Sequence, residues 1–273
     1  SSAPRVHAVI GDPISHSISP YIHNACYSRL QSDVLRDLFV SQRVKKDEIE
    51  DFLTTWRSSS ALHGLAITIP LKEVALEYLD SLSADTIRIG AVNTVVKQGG
   101  ELHGENTDWI GIARPLQNRL DLRGLKCCVL GGGGTARAAI YALRQSGAAV
   151  VVVNRTASKA EKLAELFSVE CRAMSDVPQL QDFDVVVQTT SVGLKEDVSL
   201  YPSEAFREGM VVMDVVYSPQ KTRFLKNAEQ VGARIVTGDE MFIAQAEAQF
   251  KLHSGYSAPE GLMQKALEEC LCR

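Results

Sequence analysis

The sequence contains no apolar run near the roughly 20 residues that a membrane-spanning helix needs, and it carries no large excess of charge of either sign. Its formal net charge is -4 over 273 residues. This balance favours neither a membrane nor a nucleic acid as a partner. Residues 1–4 lack the charged and then apolar pattern of a secretory signal. They also lack a starting Met, which is compatible with a piece of a longer polypeptide.

Paired cysteine motifs are also missing, although the chain has six cysteines. No two of them form a CxxC motif, and Cys127 and Cys128 lie in an apolar run where thiols behave as small hydrophobic groups. We therefore expect free thiols in a reducing cytoplasm rather than disulfides. No cluster of His, Cys and Asp has the spacing of metal ligands, so we expect no metal.

Strands and helices alternate in the first hundred residues. Ser19-Pro20 predicts the N-cap and the first residue of a helix. Residues 90–96 predict a strand, and Gly99-Gly100 predicts the turn of a hairpin. These patterns are typical of a small α/β domain that ends near residue 108.

After residue 124 the pattern changes to that of a parallel sheet. The apolar strands at 126–130 and 149–153 enclose a glycine run and a helix, which together make a βαβ unit. Further strands and helices follow in alternation, and two helices end the chain. The sequence therefore predicts an α/β fold with a Rossmann-like, doubly wound second domain.

The glycine run Gly131-Gly132-Gly133-Gly134 lies between the strand and the helix of this unit. Glycine permits the positive φ of a tight turn, and the helix N-terminus offers free N–H groups and a positive dipole end to a pyrophosphate. In a strand–loop–helix–strand context, the run predicts a dinucleotide site.

The next strand ends in Asn154-Arg155-Thr156, at the position where an NAD site usually carries Asp or Glu. A carboxylate would repel a 2′-phosphate, whereas Arg155 attracts it and can bind it through two hydrogen bonds. Lys159, one helical turn further on, adds charge, although taken alone it also fits an ordinary solvated helix residue. We therefore expect NADP rather than NAD.

Polar residues stand where the strands of the first domain end. The set comprises Ser17, Ser19, Thr68, Lys72, Asn93, Thr94, Asn106, Thr107 and Asp108. Ligands of open α/β sheets bind outside the carboxyl ends of the strands. Hydroxyls, amides, a lysine and a carboxylate suit a small polyhydroxylated acid, although each residue alone also fits a helix cap or a turn.

Together these segments resemble the shikimate dehydrogenase family from end to end. The matching motifs occur in the family's order: Pro-x-x-His-Ser-x-Ser-Pro (13–20), Thr-Ile-Pro-x-Lys (68–72), Gly-Ala-Val-Asn-Thr (90–94), Gly-x-Asn-Thr-Asp (104–108), the glycine run, Asn-Arg-Thr (154–156) and Met-Phe-Ile-Ala-Gln-Ala (241–246). Residues 131–143 and 106–109 are most similar to the form fused into multifunctional aromatic-pathway polypeptides.

The resemblance implies a division into a substrate-binding catalytic domain (1–107), an NADP-binding Rossmann domain (108–238) and C-terminal helices that pack on the first domain (239–273). It implies reversible, NADP-dependent reduction of 3-dehydroshikimate to shikimate. Lys72 and Asp108 would form the catalytic pair, which passes a proton to or from the substrate oxygen while hydride moves.

The resemblance also implies the other contacts. The substrate carboxylate would be bound by Ser17, Ser19 and Tyr217, and the ring hydroxyls or carbonyl by Thr68, Asn93, Asp108 and Gln245. The pyrophosphate would be held by Gly131, Gly133, Gly134 and Thr135. The adenosine phosphate would be held by Asn154, Arg155, Thr156 and Lys159, and the nicotinamide pocket would be lined by Gly238 and Met241.

Two residues depart from the family pattern, since Ala66 and Gln188 both stand where the family favours Asn. Both bear on affinity and substrate range more than on reaction type. The open alternatives are a quinate or dual quinate/shikimate dehydrogenase, a dehydrogenase for an unrelated substrate, and a non-catalytic regulator that senses metabolites on the same fold. For His16 we favour a structural role in its loop over that of a general base.

Overall fold

The structure is a computed structural model that describes residues 4–30 and 36–271. The remaining N-terminal residues, 1–3, and Cys272 lie outside the described residues, so the expectations placed on them are not addressed. The chain divides into two compact units, one formed by residues 1–107 with 245–273 and the other by residues 108–244. The second division, at 244/245, falls inside one continuous helix, Gly238–Ser254.

Over the described residues, the strands are β1 Arg5–Gly11, β2 Asp37–Arg43, β3 Leu62–Ile67, β4 Ser81–Leu82, β5 Thr94–Gln98, β6 Glu101–Glu105, β7 Lys126–Leu130, β8 Ala149–Asn154, β9 Glu170–Ala173, β10 Val185–Gln188, β11 Val211–Asp214 and β12 Arg234–Val236. The α-helices are α1 Ser19–Arg29, α2 Ile49–Ser58, α3 Ala84–Ile89, α4 Asp108–Gln117, α5 Gly134–Gln145, α6 Ala157–Phe167, α7 Arg223–Gln230, α8 Gly238–Ser254 and α9 Leu262–Leu271. Short 3-10 helices occur at Lys46–Glu48, Val74–Tyr78, Met174–Asp176 and Ser203–Ala205.

The first unit is built on a mixed sheet with the order β2-β1-β3-β5-β6-β4. β1 pairs in parallel with β2 and β3, whereas β5 is antiparallel to β3 and β6. The predicted hairpin is present, because Gln98 pairs with Glu101 across Gly99 and Gly100, which both have positive φ. The carboxyl ends of β1 and β3 therefore lie at one edge of the sheet, where the polar loops follow.

The second unit is built on a parallel sheet with the order β12-β11-β10-β7-β8-β9. Counted from β9 and renumbered within the unit, this is the 3-2-1-4-5-6 order of a doubly wound dinucleotide fold. The chain changes direction across the sheet between β7 and β10, which makes this the switch point. The strand centres are apolar runs without alternation because both faces of the sheet are buried. The predicted fold class is confirmed.

Two local predictions were wrong. Residues 90–93 are not strand, because Ser83 caps α3 by accepting the Thr86 N–H at 3.2 Å and Gly90 ends that helix with a φ of +69°. Ser19 is not the N-cap of α1. Ile18 occupies that position, and the Ser17 hydroxyl accepts the Ser19 N–H at 3.4 Å.

No helix within the described ranges is long and apolar enough to cross a membrane. The cysteines in these ranges are free, and burial raises the pKa of Cys26 to about 11. A thiol with so high a pKa is a poor nucleophile at neutral pH.

Histidines are buried in the core of the first unit. His7 accepts the Gly64 N–H on Nδ1 at 3.0 Å, so its Nε2 donates to Asp37 Oδ2 at 2.8 Å. His23 stacks on Phe39 with ring centroids 4.3 Å apart, and neither of its ring nitrogens has a partner among the described residues.

Burial also lowers the pKa of two histidines in this unit, His23 and His253. It lowers the pKa of His23 from its ordinary 6.5 to about 3 and holds the pKa of His253 well below its usual range. His23 is therefore neutral in the folded protein at pH 5, where it would be protonated in an unfolded chain.

We predict that the free energy of unfolding falls as pH drops from 6.5 towards 3, because the unfolded chain then binds protons that folded His23 and His253 do not. His23→Leu should flatten this slope by up to about 1.4 kcal/mol per pH unit. Urea unfolding at pH 7, 6, 5 and 4 measures it. Equal slopes for the variant and the unaltered protein would contradict the prediction.

Candidate active site

The glycine loop after β7 is shaped to receive a phosphate. Gly131 has a φ of +133°, and a Cβ there would lie 2.3 Å from Thr189 Oγ1, so no larger residue fits. A Cβ on Gly133 would meet nothing within 4 Å, so the loop is open on that side. α5 begins at Gly134 without a side-chain cap, which leaves its first N–H groups for a ligand. This cradle fits the pyrophosphate of a dinucleotide.

The turn after β8 carries the predicted phosphate-binding cations. Asn154 Nδ2 donates to the Thr156 carbonyl at 3.1 Å and fixes the turn. Lys159 lies beside the glycine loop, because its Cβ is 3.4 Å from the position of a Cβ on Gly132. Arg155 and Lys159 are exposed and take part in no ion pair within the part of the chain that is described. Two unpaired cations at this place fit a 2′-phosphate.

The side chain of Asn93 is the centre of a buried hydrogen-bonded group in the first unit. Its Oδ1 accepts the Thr107 N–H at 2.7 Å and the Thr94 hydroxyl at 2.9 Å. Its Nδ2 donates to Thr107 Oγ1 at 2.8 Å and faces Gln245 Oε1 at 3.4 Å. Asn93, Thr94 and Thr107 are each at most 3% exposed. These bonds fix which end of the Asn93 amide donates and which accepts.

α8 contributes a second glutamine that the sequence analysis missed. Gln249 lies one helical turn after Gln245, and its Nε2 donates to the Asn93 carbonyl at 3.2 Å and to Thr94 Oγ1 at 2.8 Å. The available signal was the i, i+4 spacing of the two glutamines. Gln249 is 2% exposed, so it supports the position of Asn93 from behind.

The Thr68–Lys72 loop is joined to this group through the backbone. Ile67 donates to the Asn93 carbonyl at 2.7 Å, and Val92 donates to the Lys72 carbonyl at 2.7 Å. On its other side, Thr68 N–H donates to the Ile10 carbonyl at 3.0 Å. The structure therefore brings Thr68, Lys72 and Asn93 into neighbouring loops at one edge of the first sheet.

The loop between β1 and α1 reaches the same edge. A Cβ on Gly11 would lie 2.5 Å from Thr68 Cγ2, so the two loops are in close contact. Ser17 and Ser19 lie further along this loop and are joined by their hydrogen bond. His16 is exposed and makes no hydrogen bond among the described residues, so its predicted role in holding the loop is not observed.

Asp108 follows Thr107 directly and is the first residue of α4, in the second unit. It is 4% exposed. The structure thus places the two residues of the predicted catalytic pair on different units, with Lys72 in the first.

Gln188 and Asp214 are buried at the carboxyl ends of β10 and β11. Gln188 Nε2 donates to Asp214 Oδ1 at 3.3 Å and to the Val192 carbonyl at 3.1 Å. Burial raises the pKa of Asp214 to about 6, against the hydrogen bonds from Thr222, Val216 and Gln188, which lower it. The sequence analysis missed Asp214. The Gln188 amide makes these internal hydrogen bonds and is not directed to a ligand.

Three further predicted site residues, Tyr217, Gly238 and Met241, lie in the second unit. The rings of Tyr217 and Phe242 are 4.8 Å apart. A Cβ on Gly238 would lie 2.4 Å from the Val216 carbonyl oxygen, so only glycine allows α8 to begin so close to this loop. Met241 is 7% exposed and packs in the core of the unit.

We predict that Asn93→Leu lowers the free energy of unfolding by about 1–3 kcal/mol, because the buried Thr107 N–H loses its acceptor. Urea unfolding measures the loss. The matched control is Asn118→Leu, at an exposed asparagine. Equal losses in the two variants would show that the Asn93 group does not stabilise the fold.

Known protein families match segments in both halves of the chain. The family described as Shikimate dehydrogenase substrate binding domain matches residues 9–95, and that described as Shikimate / quinate 5-dehydrogenase matches residues 113–210. The chain is 37% identical to a shikimate dehydrogenase (NADP(+)) from Methanosarcina acetivorans, over 98% of this chain and 99% of that one.

Solved structures with similar folds include two enzymes of different names. Shikimate 5-dehydrogenase from Thermus thermophilus, in complex with NADP(H) and shikimate, superposes with a TM-score of 0.89 at 35% identity, covering 98% of this chain and 100% of that one. 5-Ketofructose reductase of a Gluconobacter strain superposes with a TM-score of 0.86 at 27% identity, covering 98% and 99%. Since both family matches and a full-length relative agree, the chain belongs to the shikimate dehydrogenase family.

Proposed function

We propose that this chain catalyses the reversible, NADP-dependent reduction of 3-dehydroshikimate to shikimate. The observation that carries the proposal is the pair of unpaired cations, Arg155 and Lys159, beside an open glycine cradle, in a chain similar over almost its whole length to a shikimate dehydrogenase (NADP(+)). The geometry supplies the cofactor class, and the family supplies the substrate class.

The second unit would hold the cofactor. Backbone N–H groups at the start of α5 would bind the pyrophosphate, through Gly131, Gly133, Gly134 and Thr135. The 2′-phosphate would be bound at the turn after β8, by Asn154, Arg155, Thr156 and Lys159. When bound, the cofactor would supply the hydride acceptor in oxidation and the hydride donor in reduction. Gly238 and Met241 would line the pocket of the nicotinamide ring.

The first unit would hold most of the substrate. The Ser17 and Ser19 hydroxyls would donate to its carboxylate, and Tyr217 would contact the same group. The ring oxygens would be bound by Thr68, Asn93, Asp108 and Gln245. Asn93 is oriented before any ligand arrives, because Thr107 fixes both ends of its amide. Preorganised polar groups reduce the free-energy cost of ordering on binding.

Lys72 and Asp108 would carry the proton. In oxidation, the Lys72 amine takes the proton of the substrate hydroxyl as hydride leaves the carbon, and in reduction the ammonium returns it to the carbonyl oxygen. Asp108 holds the hydroxyl or the lysine in line.

We predict that Lys72→Ala lowers kcat for shikimate oxidation by about 10²–10⁴-fold, the range for loss of a general acid–base group. NADP+ binding, measured by calorimetry, should be unchanged. Lys265→Ala, at an exposed lysine of α9, serves as the matched control. An unchanged kcat in Lys72→Ala would remove the lysine from the mechanism.

We predict that Arg155→Ala raises KM for NADP+ by about 10–100-fold, since a hydrogen bond to a charged group contributes about 1.5–3 kcal/mol and 1.4 kcal/mol is tenfold. KM for NAD+ should change little, because NAD+ has no 2′-phosphate. Lys162→Ala, at an exposed lysine of the same helix region, is the control. Equal changes for both cofactors would contradict the assignment.

The proposed function is tested by steady-state rates with shikimate and quinate, each against NADP+ and NAD+. We expect the highest kcat/KM with shikimate and NADP+. A higher value with quinate or NAD+ would contradict the proposal, as would faster reduction of 5-ketofructose than of 3-dehydroshikimate. The cytoplasmic location and the membership of a larger multifunctional polypeptide stay predictions.

A further inference from the structure

The carboxyl ends of β10 and β11 lie on the opposite side of the switch point from the adenosine-phosphate turn. A doubly wound sheet binds a dinucleotide across the switch point, one mononucleotide on each half. Arg155 and Lys159 follow β8, so the adenosine half would lie over the β7–β8 side. The nicotinamide half would then lie over β10 and β11, bordered by the loops 189–193 and 215–217.

These two loops meet at one pair of side chains. Gln188 and Asp214 are the last residues of β10 and β11 and stand opposite each other in the parallel register. Their side chains are joined by the Nε2–Oδ1 hydrogen bond of 3.3 Å, and both residues are 0% exposed. A buried pair that no ligand can reach acts through the residues bonded to it.

Gln188 holds the first loop. Its Oε1 accepts the Thr190 N–H, and its Nε2 donates to the Val192 carbonyl at 3.1 Å. One amide therefore bonds to both ends of the short turn that follows β10. A side chain one methylene shorter would reach about 1.5 Å less far, so it could not span the turn and meet Asp214 in this geometry.

Asp214 holds the second loop and the start of α7. Its Oδ1 accepts the Val216 N–H at 3.0 Å, and its Oδ2 accepts the Thr222 hydroxyl at 2.6 Å. Thr222 in turn caps α7 by accepting the Leu225 N–H at 3.4 Å. Gly238 closes this loop from the other side, because its backbone lies against Val216. The loop that carries Tyr217 is thus fixed at both faces.

We propose that Gln188 and Asp214 are paired positioning residues, which hold the two loops bordering the nicotinamide half of the site in the geometry that hydride transfer requires. The inference rests on the proposed function for the identity of the reaction. It assigns Gln188, which departs from the family pattern, a role in cofactor geometry rather than in substrate choice. Misplacement of reacting groups by about 1 Å costs about 10²-fold in rate, so loss of the pair acts on kcat.

The test uses Gln188→Met, Asp214→Ala and the double variant in the full chain, with Asp214→Asn as the milder change. The control is Asp184→Asn. Asp184 stands at the amino end of β10, where it accepts the Lys126 N–H at 2.9 Å and pairs with Arg207 at 3.0 Å. The readouts are kcat and KM for shikimate and NADP+, thermal stability, and amide hydrogen exchange of residues 189–193 and 215–217 without cofactor.

We expect kcat of each single variant to fall at least tenfold, with both KM values within threefold of those of the unaltered enzyme. We expect kcat of the double variant to be no more than threefold below that of the less active single variant. Asp214→Asn should recover part of the loss. Without cofactor, Gln188→Met should speed exchange in 215–217 at least tenfold, although the Gln188 side chain reaches that loop only through Asp214. Asp184→Asn should lower stability without either effect.

The inference is overturned if the single variants lose stability but keep kcat, if the two losses multiply in the double variant, or if Gln188→Met leaves exchange in 215–217 unchanged. Failure of the unaltered enzyme to oxidise shikimate with NADP+ would instead sink the proposed function. The exchange measurement would still decide whether the two residues act as a pair.

Discussion

The buried amide of Asn93 links three segments that are distant in the chain, and these segments form one half of the proposed site. Its bonds reach Thr107, fourteen residues on, and Gln245, in the returning helix α8. A second bond set, from Gln249, holds the Asn93 backbone. Because buried polar groups are costly unless they are paired, these segments have one arrangement in which all are satisfied. The loop that carries Lys72 is hydrogen-bonded to the residue before Asn93, so the proposed substrate site would depend on this group.

In the second unit, as in the first, the residues of the proposed site lie where strands end. Parallel strands buried on both faces leave only their carboxyl ends for chemistry. Gly131, which follows β7, has a positive φ and lies so close to Thr189 that only glycine fits there. The start of α5, which has no side-chain cap, follows directly. Arg155 and Lys159 then stand unpaired among the described residues, so a 2′-phosphate bound there would meet no competing internal ion pair. The Gln188–Asp214 pair fixes the other side of the switch point.

Local patterns predicted much of this arrangement from sequence. The βαβ unit, the glycine run and the hairpin at Gly99-Gly100 are signalled by periodicity and by residues with special φ, and all three are present. The sequence analysis missed the helix before Gly90. The capping signal of Ser83 is weak beside the apolar run around residue 90, which also fits a strand. Asp214 was missed for another reason. A lone carboxylate at the end of a strand carries no signal until its register partner is known. Long-range pairings set the site, and periodicity does not report them.

In the proposed reaction, hydride moves between an NADP-class cofactor and the carbon that bears the reacting oxygen of the substrate, and Lys72 transfers the proton. Alternatives without catalysis, or with another substrate, share the fold, so the site chemistry must be tested directly. One measurement does so: a single turnover of 3-dehydroshikimate with NADPH that carries deuterium at the transferred position, followed by mass spectrometry and NMR of the product. We expect shikimate with one deuterium on the carbon of the new hydroxyl. Unlabelled shikimate, or no product at all, would contradict it.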